Sequence, residues 1–303
     1  MIDTNQQKRF ALIGVAGFIA PRHLKAIKEN GHNLIACMDK HDNVGIIDSY
    51  FPDADFFTEF ERFDRHLEML RRNKNGVDYV TICTPNYLHD AHIRFALRNH
   101  AHAICEKPLV LNPWNIDALT EIENETGKKV YTILQLRHHQ AVIELRNRVL
   151  QQDPSHRYEI NLEYITSRGK WYDYSWKADL SKSGGVGTNM GIHFFDMLIW
   201  IFGKPLQSEV SIKEARTMAG TLKLERANVN WKLSVDYAQL PEAAKQKGMR
   251  TYRSLMLDGE AFEFSEGFTD LHTVSYKHIL AGEGYGLADA REAILLAHSI
   301  RNA

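Results

Sequence analysis

The stretch Arg9-Phe10-Ala11-Leu12-Ile13-Gly14-Val15-Ala16-Gly17-Phe18-Ile19-Ala20 decides the reading of the fold. Phe10 to Ile13 form a short apolar run of the kind a buried strand presents. Two glycines follow at once, then a segment, 21–30, with helical spacing that stops at Gly31. Strand, glycine turn and helix open a βαβ unit. The alternation continues through residue 135, with strands expected at 34–38, 77–83, 101–105 and 129–134 and helices at 60–72, 87–99 and 113–126. Strands alternating with helices imply a mostly parallel sheet.

Beyond residue 135 the pattern changes. A helix at 137–152, a half-buried strand at 158–166 and a helix at 187–202 come first. Strands follow at 210–214, 221–226, 231–237 and 252–257, with a further one at 260–264. Helices at 271–280 and 287–301 end the sequence. Strands in runs point to an antiparallel sheet. The expected organisation is an α/β dinucleotide-binding domain over 1–135 and an α+β domain, with an open and mainly antiparallel sheet, over 136–303. The polar segment 240–250 is expected to be an exposed loop.

Composition narrows the function. Of 303 residues, 44% are hydrophobic and 25% charged, which excludes a disordered or fibrous chain. Lys and Arg total 37 against 38 Asp and Glu, so no bulk basic field for nucleic acid exists. Three cysteines do not make a disulfide framework, and a reducing compartment is expected. The longest apolar stretch, 192–202, is interrupted by His193 and Asp196 and falls short of the ~20 residues that span a bilayer. The N-terminal residues are polar, without the apolar core of a secretory leader. A cytoplasmic protein without membrane insertion is expected.

Four constellations carry chemistry. The turn Gly14-Val15-Ala16-Gly17-Phe18-Ile19-Ala20 has the spacing G-x-x-G-x-x-A in place of G-x-G-x-x-G. Such glycines let a backbone approach a pyrophosphate at a helix N-terminus, and an unliganded tight turn uses them equally well. Asp39, at the end of the second strand, favours the dinucleotide. An acid there accepts hydrogen bonds from ribose hydroxyls and repels a 2′-phosphate, so NAD is expected rather than NADP. Thr84-Pro85-Asn86-Tyr87-Leu88-His89 ends a further strand and offers Thr84, Asn86 and His89, or simply a helix cap. Glu106-Lys107-Pro108 ends the next. A lysine beside a nicotinamide stabilises a developing alkoxide, and Glu106 would tune it. Finally, Asn189, His193 and Asp196 fall at i, i+4 and i+7 of one apolar helix, where His193 is either a general base or a core histidine. No His/Cys spacing matches a zinc template, so no metal is expected.

In order and spacing, the T-P-N-x-x-H, E-K-P and G-G-x-x-x-N-x-G-x-H-x-x-D segments resemble the Gfo/Idh/MocA family of sugar and cyclitol oxidoreductases. The resemblance spans nearly the whole chain. It implies a Rossmann domain, a second domain that carries substrate and oligomer contacts, and catalytic roles for Lys107 and His193. Trp176-Lys177 resembles the family's W-[RK] pair near the nicotinamide, and Gln135 the polar residue ending the sixth strand. The segments at 14–27, 104–110, 133–141, 164–172 and 263–273 resemble the branch of bacterial UDP-N-acetylglucosaminuronate 3-dehydrogenases of O-antigen and lipopolysaccharide sugar synthesis. That branch implies NAD, a UDP-sugar acid, oxidation at the sugar C3 and a homotetramer. For the uronate and diphosphate, Arg168 and Lys170 are the candidates, with Arg137 and Arg253 behind them. Asn189 stands where many family members carry aspartate, which leaves Lys107 and His193 as the titratable pair. Another sugar or inositol dehydrogenase, or an NAD-binding sensor without turnover, remains open at this point.

Overall fold

The structure, a computed structural model, describes residues 7–264 and 270–303. The segment 263–273, read above as a branch signature, lies in part outside the described residues. The chain divides into two compact units at Gln135/Leu136. Residues 270–290 belong to the first unit, and 111–113 to the second. Within the span 136–303, residues 270–290 thus lie with the first unit and 291–303 with the second.

In the first unit the elements are β1 (Arg9–Ile13), α1 (Ala20–Glu29), β2 (Asn33–Met38), β3 (Asp55–Phe57), α2 (Phe60–Arg72), β4 (Tyr79–Ile82), α3 (His89–Arg98), β5 (His102–Cys105), α4 (Trp114–Thr126) and β6 (Val130–Thr132). They build one parallel sheet of order β3-β2-β1-β4-β5-β6. β1 and β4 are apolar and buried, as strands covered on both faces must be. β3 was not expected from the sequence, because three residues carry too little pattern.

Gly14 sits at the carboxyl end of β1 with φ +91°. A Cβ there would lie 2.8 Å from the Cys83 carbonyl carbon and 3.0 Å from the Thr84 nitrogen. Both the dihedral and the backbone opposite require glycine.

The second unit contains α5 (Gln140–Gln151), β7 (Tyr158–Thr166), α6 (Leu180–Ser183), α7 (Gly185–Asn189), α8 (Gly191–Phe202), β8 (Pro205–Lys213), β9 (Thr217–Leu224), β10 (Ala227–Ser234), α9 (Glu242–Gln246), β11 (Thr251–Leu257) and β12 (Glu260–Ala261). Two helices complete the chain. α10 (Leu271–Leu280) packs on α1 in the first unit, and α11 (Leu287–Asn302) runs from the first unit into the second. The sheet order is β12-β11-β7-β10-β9-β8, antiparallel except for the β7–β10 pair.

Alternation places Ile160, Leu162, Val229, Trp231 and Leu233 against Phe194, Phe195 and Leu198 of α8 in one core. The opposite face is polar and ties strands together through Asn228–Glu159 (2.6 Å) and Lys232–Glu163 (3.4 Å). Three strands begin four or five residues earlier than expected, β8 at Pro205, β9 at Thr217 and β10 at Ala227. The helix expected over 187–202 starts at Gly185 and is interrupted at Met190. The segment 240–250 is not all exposed loop: it holds α9 and buries Leu240 and Ala244.

Asp196 of α8 is almost fully buried and faces Arg137. The guanidinium donates to both carboxylate oxygens, Nε to Oδ2 at 3.0 Å and Nη2 to Oδ1 at 2.6 Å. Arg137, expected among the substrate cations, is thus paired with Asp196, and Asp196 does not stand free in a polar row beside His193.

Two stability outcomes follow. Asp196→Ala leaves a buried guanidinium without its counter-ion and should lower the unfolding free energy by about 3–5 kcal/mol. Replacing both partners (Arg137→Met with Asp196→Leu) should recover most of that loss, read by urea denaturation of the two variants. Gly14→Ala should cost about 1–3 kcal/mol through its dihedral alone, measured the same way. A Gly14→Ala protein as stable as the parent would contradict the close approach described here.

Candidate active site

The register of the parallel sheet sets strand ends side by side. Cys83 N–H donates to the Ile13 carbonyl (2.8 Å), Glu106 N–H to Ile82 (3.0 Å) and Ile133 N–H to Cys105 (3.0 Å). The glycine turn, the Thr84–His89 loop, the Glu106–Pro108 loop and Gln135 therefore share one edge of the first unit. In an open α/β sheet this carboxyl edge is where ligands bind.

At the turn, Gly17 N–H donates to the Gly14 carbonyl (3.0 Å) and leads directly into α1. Phe18 is 91% exposed, while Ile19 packs partly on the core beneath. The Asp39 carboxylate is fixed beside the turn by two backbone amides, Oδ2 accepting from Ala16 (3.0 Å) and Oδ1 from His41 (3.0 Å). A stationary anion beside a glycine turn favours ribose hydroxyls and disfavours a further phosphate.

Three side chains expected to face a ligand are occupied within the protein. The Thr84 hydroxyl is hydrogen-bonded to Nδ1 of His92 (3.0 Å), a ring whose pKa burial pushes down to about 4 and so keeps neutral. His89 is fully buried, its ring bridging the Pro108 carbonyl (Nδ1, 2.7 Å) and the Thr84 carbonyl (Nε2, 2.8 Å). It braces one loop against the next. Burial lowers its pKa, and the two carbonyls oppose that shift. Glu106 is also buried, with its carboxylate turned to His23 and His272. These pairings have one cause: polar side chains at a buried edge must be paired by the protein itself.

Asn86 is buried and Lys107 is partly exposed at this edge. Gln135 differs: its side-chain oxygen is buried with no hydrogen-bond partner among the described residues. A buried acceptor left so costs about 1–3 kcal/mol, which a donor on a ligand relieves.

The second unit holds the remaining candidates. Asn189 closes α7 and His193 lies in the first turn of α8, both partly exposed. Gly191 stands between them, where a Cβ would meet the Phe195 ring at 2.6 Å and Leu233 at 2.9 Å. Its missing side chain lets this stretch sit close on β10. Lys177 lies 5.7 Å from the Trp171 ring and 5.8 Å from the Trp176 ring. Burial, then the charge of Arg168, lowers its pKa. Arg168 and Lys170 are exposed. Arg216, not expected from the sequence, holds the Arg168–Tyr174 loop by donating to Asp173 (2.6 Å) and to the Arg168 carbonyl (2.6 Å). Arg253 stacks between Tyr164 (5.5 Å) and Phe264 (5.2 Å), a packing role rather than an exposed cation.

Among the described residues, one group has the proximity of metal ligands: His23, Glu106 and His272, with ligand atoms within 4.8 Å of one another. Their hydrogen bonds account for it. No helix of the described residues is long and apolar enough to cross a membrane.

Comparison with known proteins agrees with this geometry. Over 97% of this chain and 95% of the other, the structure is similar to the WlbA (WbpB) dehydrogenase from Thermus thermophilus in complex with NAD and alpha-ketoglutarate, at 54% identity and TM-score 0.94. The same dehydrogenase in complex with NAD and UDP-GlcNAcA gives 53% identity and TM-score 0.94, with the same coverage. Among curated relatives, glucose-6-phosphate 3-dehydrogenase of Bacillus subtilis is 21% identical over 249 residues, 79% of this chain and 65% of that enzyme. Inositol 2-dehydrogenase of Rhizobium meliloti is 27% identical over 201 residues, 65% of this chain and 55% of that enzyme. The chain thus spans less than two thirds of either relative's length. With residues 8–134 matching the NAD-binding Rossmann fold of the Gfo/Idh/MocA oxidoreductases and residues 156–248 their C-terminal alpha/beta domain, this chain belongs to that family.

Proposed function

We propose that this protein is an NAD-dependent dehydrogenase that oxidises the C3 hydroxyl of UDP-N-acetylglucosaminuronic acid to the 3-keto sugar. The observation that carries the proposal is the whole-chain likeness, at 53% identity, to a dehydrogenase solved with NAD and UDP-GlcNAcA. The residues at the strand edge fit the cofactor. Gly14 lets the turn pack directly against the Cys83–Thr84 backbone, Asp39 is anchored beside the turn, and Gln135 holds an unsatisfied acceptor.

When bound, NAD supplies the acceptor for the hydride that leaves C3. His193 takes the proton of the C3 hydroxyl, since an imidazole titrates near neutral pH. Lys107 donates to the same oxygen and stabilises the alkoxide as charge develops. Gly14, Gly17, Phe18, Ile19 and Asp39 hold the adenosine and pyrophosphate portion. The Thr84 backbone, Asn86, Gln135, Trp176 and Lys177 serve the nicotinamide portion. Arg168 and Asn189 serve the sugar nucleotide, and a homotetramer belongs to the same proposal. A 2-oxo acid is the natural candidate for returning NADH to NAD, given the alpha-ketoglutarate in the Thermus structure.

NAD should bind more tightly than NADP, and Asp39→Ala should narrow the gap. Calorimetry with both cofactors checks this, and equal affinities in the parent protein would refute the assignment of Asp39. UDP-N-acetylglucosaminuronic acid with NAD should give absorbance at the NADH wavelength. His193→Ala should lower kcat ~10²–10⁴-fold and Lys107→Ala ~10²–10³-fold, with melting temperatures near the parent's. A His193→Ala protein that is destabilised yet turns over normally would make His193 a core histidine.

A further inference from the structure

Behind the Glu106–Pro108 loop lies a chain of buried hydrogen bonds to which the proposed reaction assigns nothing. His23 Nε2–H donates to Glu106 Oε1 at 2.9 Å, and His272 Nε2–H donates to the same oxygen at 3.0 Å. The other carboxylate oxygen, Oε2, accepts from the Lys107 backbone amide at 3.3 Å. On the far side of His23, Nδ1 meets the Tyr276 hydroxyl at 2.8 Å, and that hydroxyl meets Thr81 Oγ1 at 2.8 Å. His23, Thr81, Glu106, His272 and Tyr276 are all buried.

Only one arrangement of protons satisfies the set with a neutral His23. Thr81 donates to Tyr276, Tyr276 donates to His23 Nδ1, and His23 Nε2–H donates to Glu106. Burial depresses the His23 pKa and keeps that ring neutral. Burial alone would raise Glu106, but the hydrogen bonds from His23 and His272 hold it well below the usual carboxylate range. Glu106 is therefore a buried anion whose direction is fixed by two imidazoles from helices α1 and α10. It lies one residue before Lys107, on an otherwise short strand-end loop. On the other side of Lys107, the Pro108 carbonyl is held by His89 (2.7 Å).

We infer that His23, Glu106 and His272 are positioning residues that hold the Lys107 backbone in place, with His272 delivered for this purpose by a helix from the far end of the chain. The inference rests on the role of Lys107 proposed above. His272 uses Nε2, the atom whose place the side-chain nitrogen of glutamine takes. His272→Gln therefore keeps a donor to Glu106, and His272→Leu removes it.

Two readouts on the full-length protein test this. Hydrogen exchange by mass spectrometry reads the Lys107 amide in a peptide covering 105–110; Pro108 has no amide, which simplifies the assignment. Exchange at Lys107 should rise tenfold or more in His272→Leu and stay near the parent rate in His272→Gln, with β1 amides unchanged in both. Turnover of UDP-N-acetylglucosaminuronic acid with NAD should fall 10–100-fold in kcat for His272→Leu, at a KM within about threefold, and be restored in His272→Gln. Should His272→Leu fail to fold, Tyr276→Phe removes only the hydroxyl on His23 Nδ1 and should raise Lys107 exchange several-fold. Unchanged Lys107 exchange in the folded variants overturns the inference. So does a loss of kcat that merely tracks a lowered melting temperature, or one that His272→Gln does not rescue. If the parent protein shows no turnover with this sugar, the functional proposal fails while the exchange measurement still decides the positioning role.

Discussion

Three backbone hydrogen bonds, Cys83 to Ile13, Glu106 to Ile82 and Ile133 to Cys105, align the first unit. A parallel ladder allows no slip where both faces are buried, because a shift of one residue would exchange every side chain between faces. Four segments scattered over more than a hundred residues of sequence are thereby held on one line. The consequence is crowding: each loop at that edge must pair its polar groups or expose them. His89, Thr84 and Glu106 are paired inward. Gln135 is left with an unmet acceptor, and Lys107 stays partly exposed. Which side chains brace the loops is thus a result of burial at the edge and not of residue type.

The second unit solves a different problem. α8 is apolar on nearly all sides and is covered accordingly, so any polar residue on it must be matched. Asp196 is matched by Arg137 with two hydrogen bonds, while His193, one turn earlier, remains partly exposed. The other face of the sheet is largely polar, and pairs such as Asn228–Glu159 and Lys232–Glu163 link its strands.

Local chemistry was legible in the sequence. The glycine turn, the strand-end loops and the change from alternating to consecutive strands each occupy a few neighbouring residues, and their physical requirements act over that range. Partners brought from far away were not legible. The helical face shared by Asn189, His193 and Asp196 suggested a polar row. The arginine that claims Asp196 lies 59 residues away and carries no signal of it. His23 meets Tyr276 across 253 residues, and nothing in the sequence around either marks the contact. Short strands failed for the opposite reason, since three residues such as those of β3 do not establish a period.

The return of α10 to the first unit also bears on how the chain comes together. Tyr276 is fully buried in the core of the Rossmann sheet, and β1 to β6 are all synthesised before it. At roughly 5–20 residues per second, the polypeptide between β6 and α10 takes on the order of ten seconds to emerge. During that interval the nascent sheet has its strands but lacks the helix that fills its core beside Phe10 and His23. The first domain to be translated is therefore among the last to be completed. A fragment ending after β6 carries the full dinucleotide signature yet lacks part of its own interior.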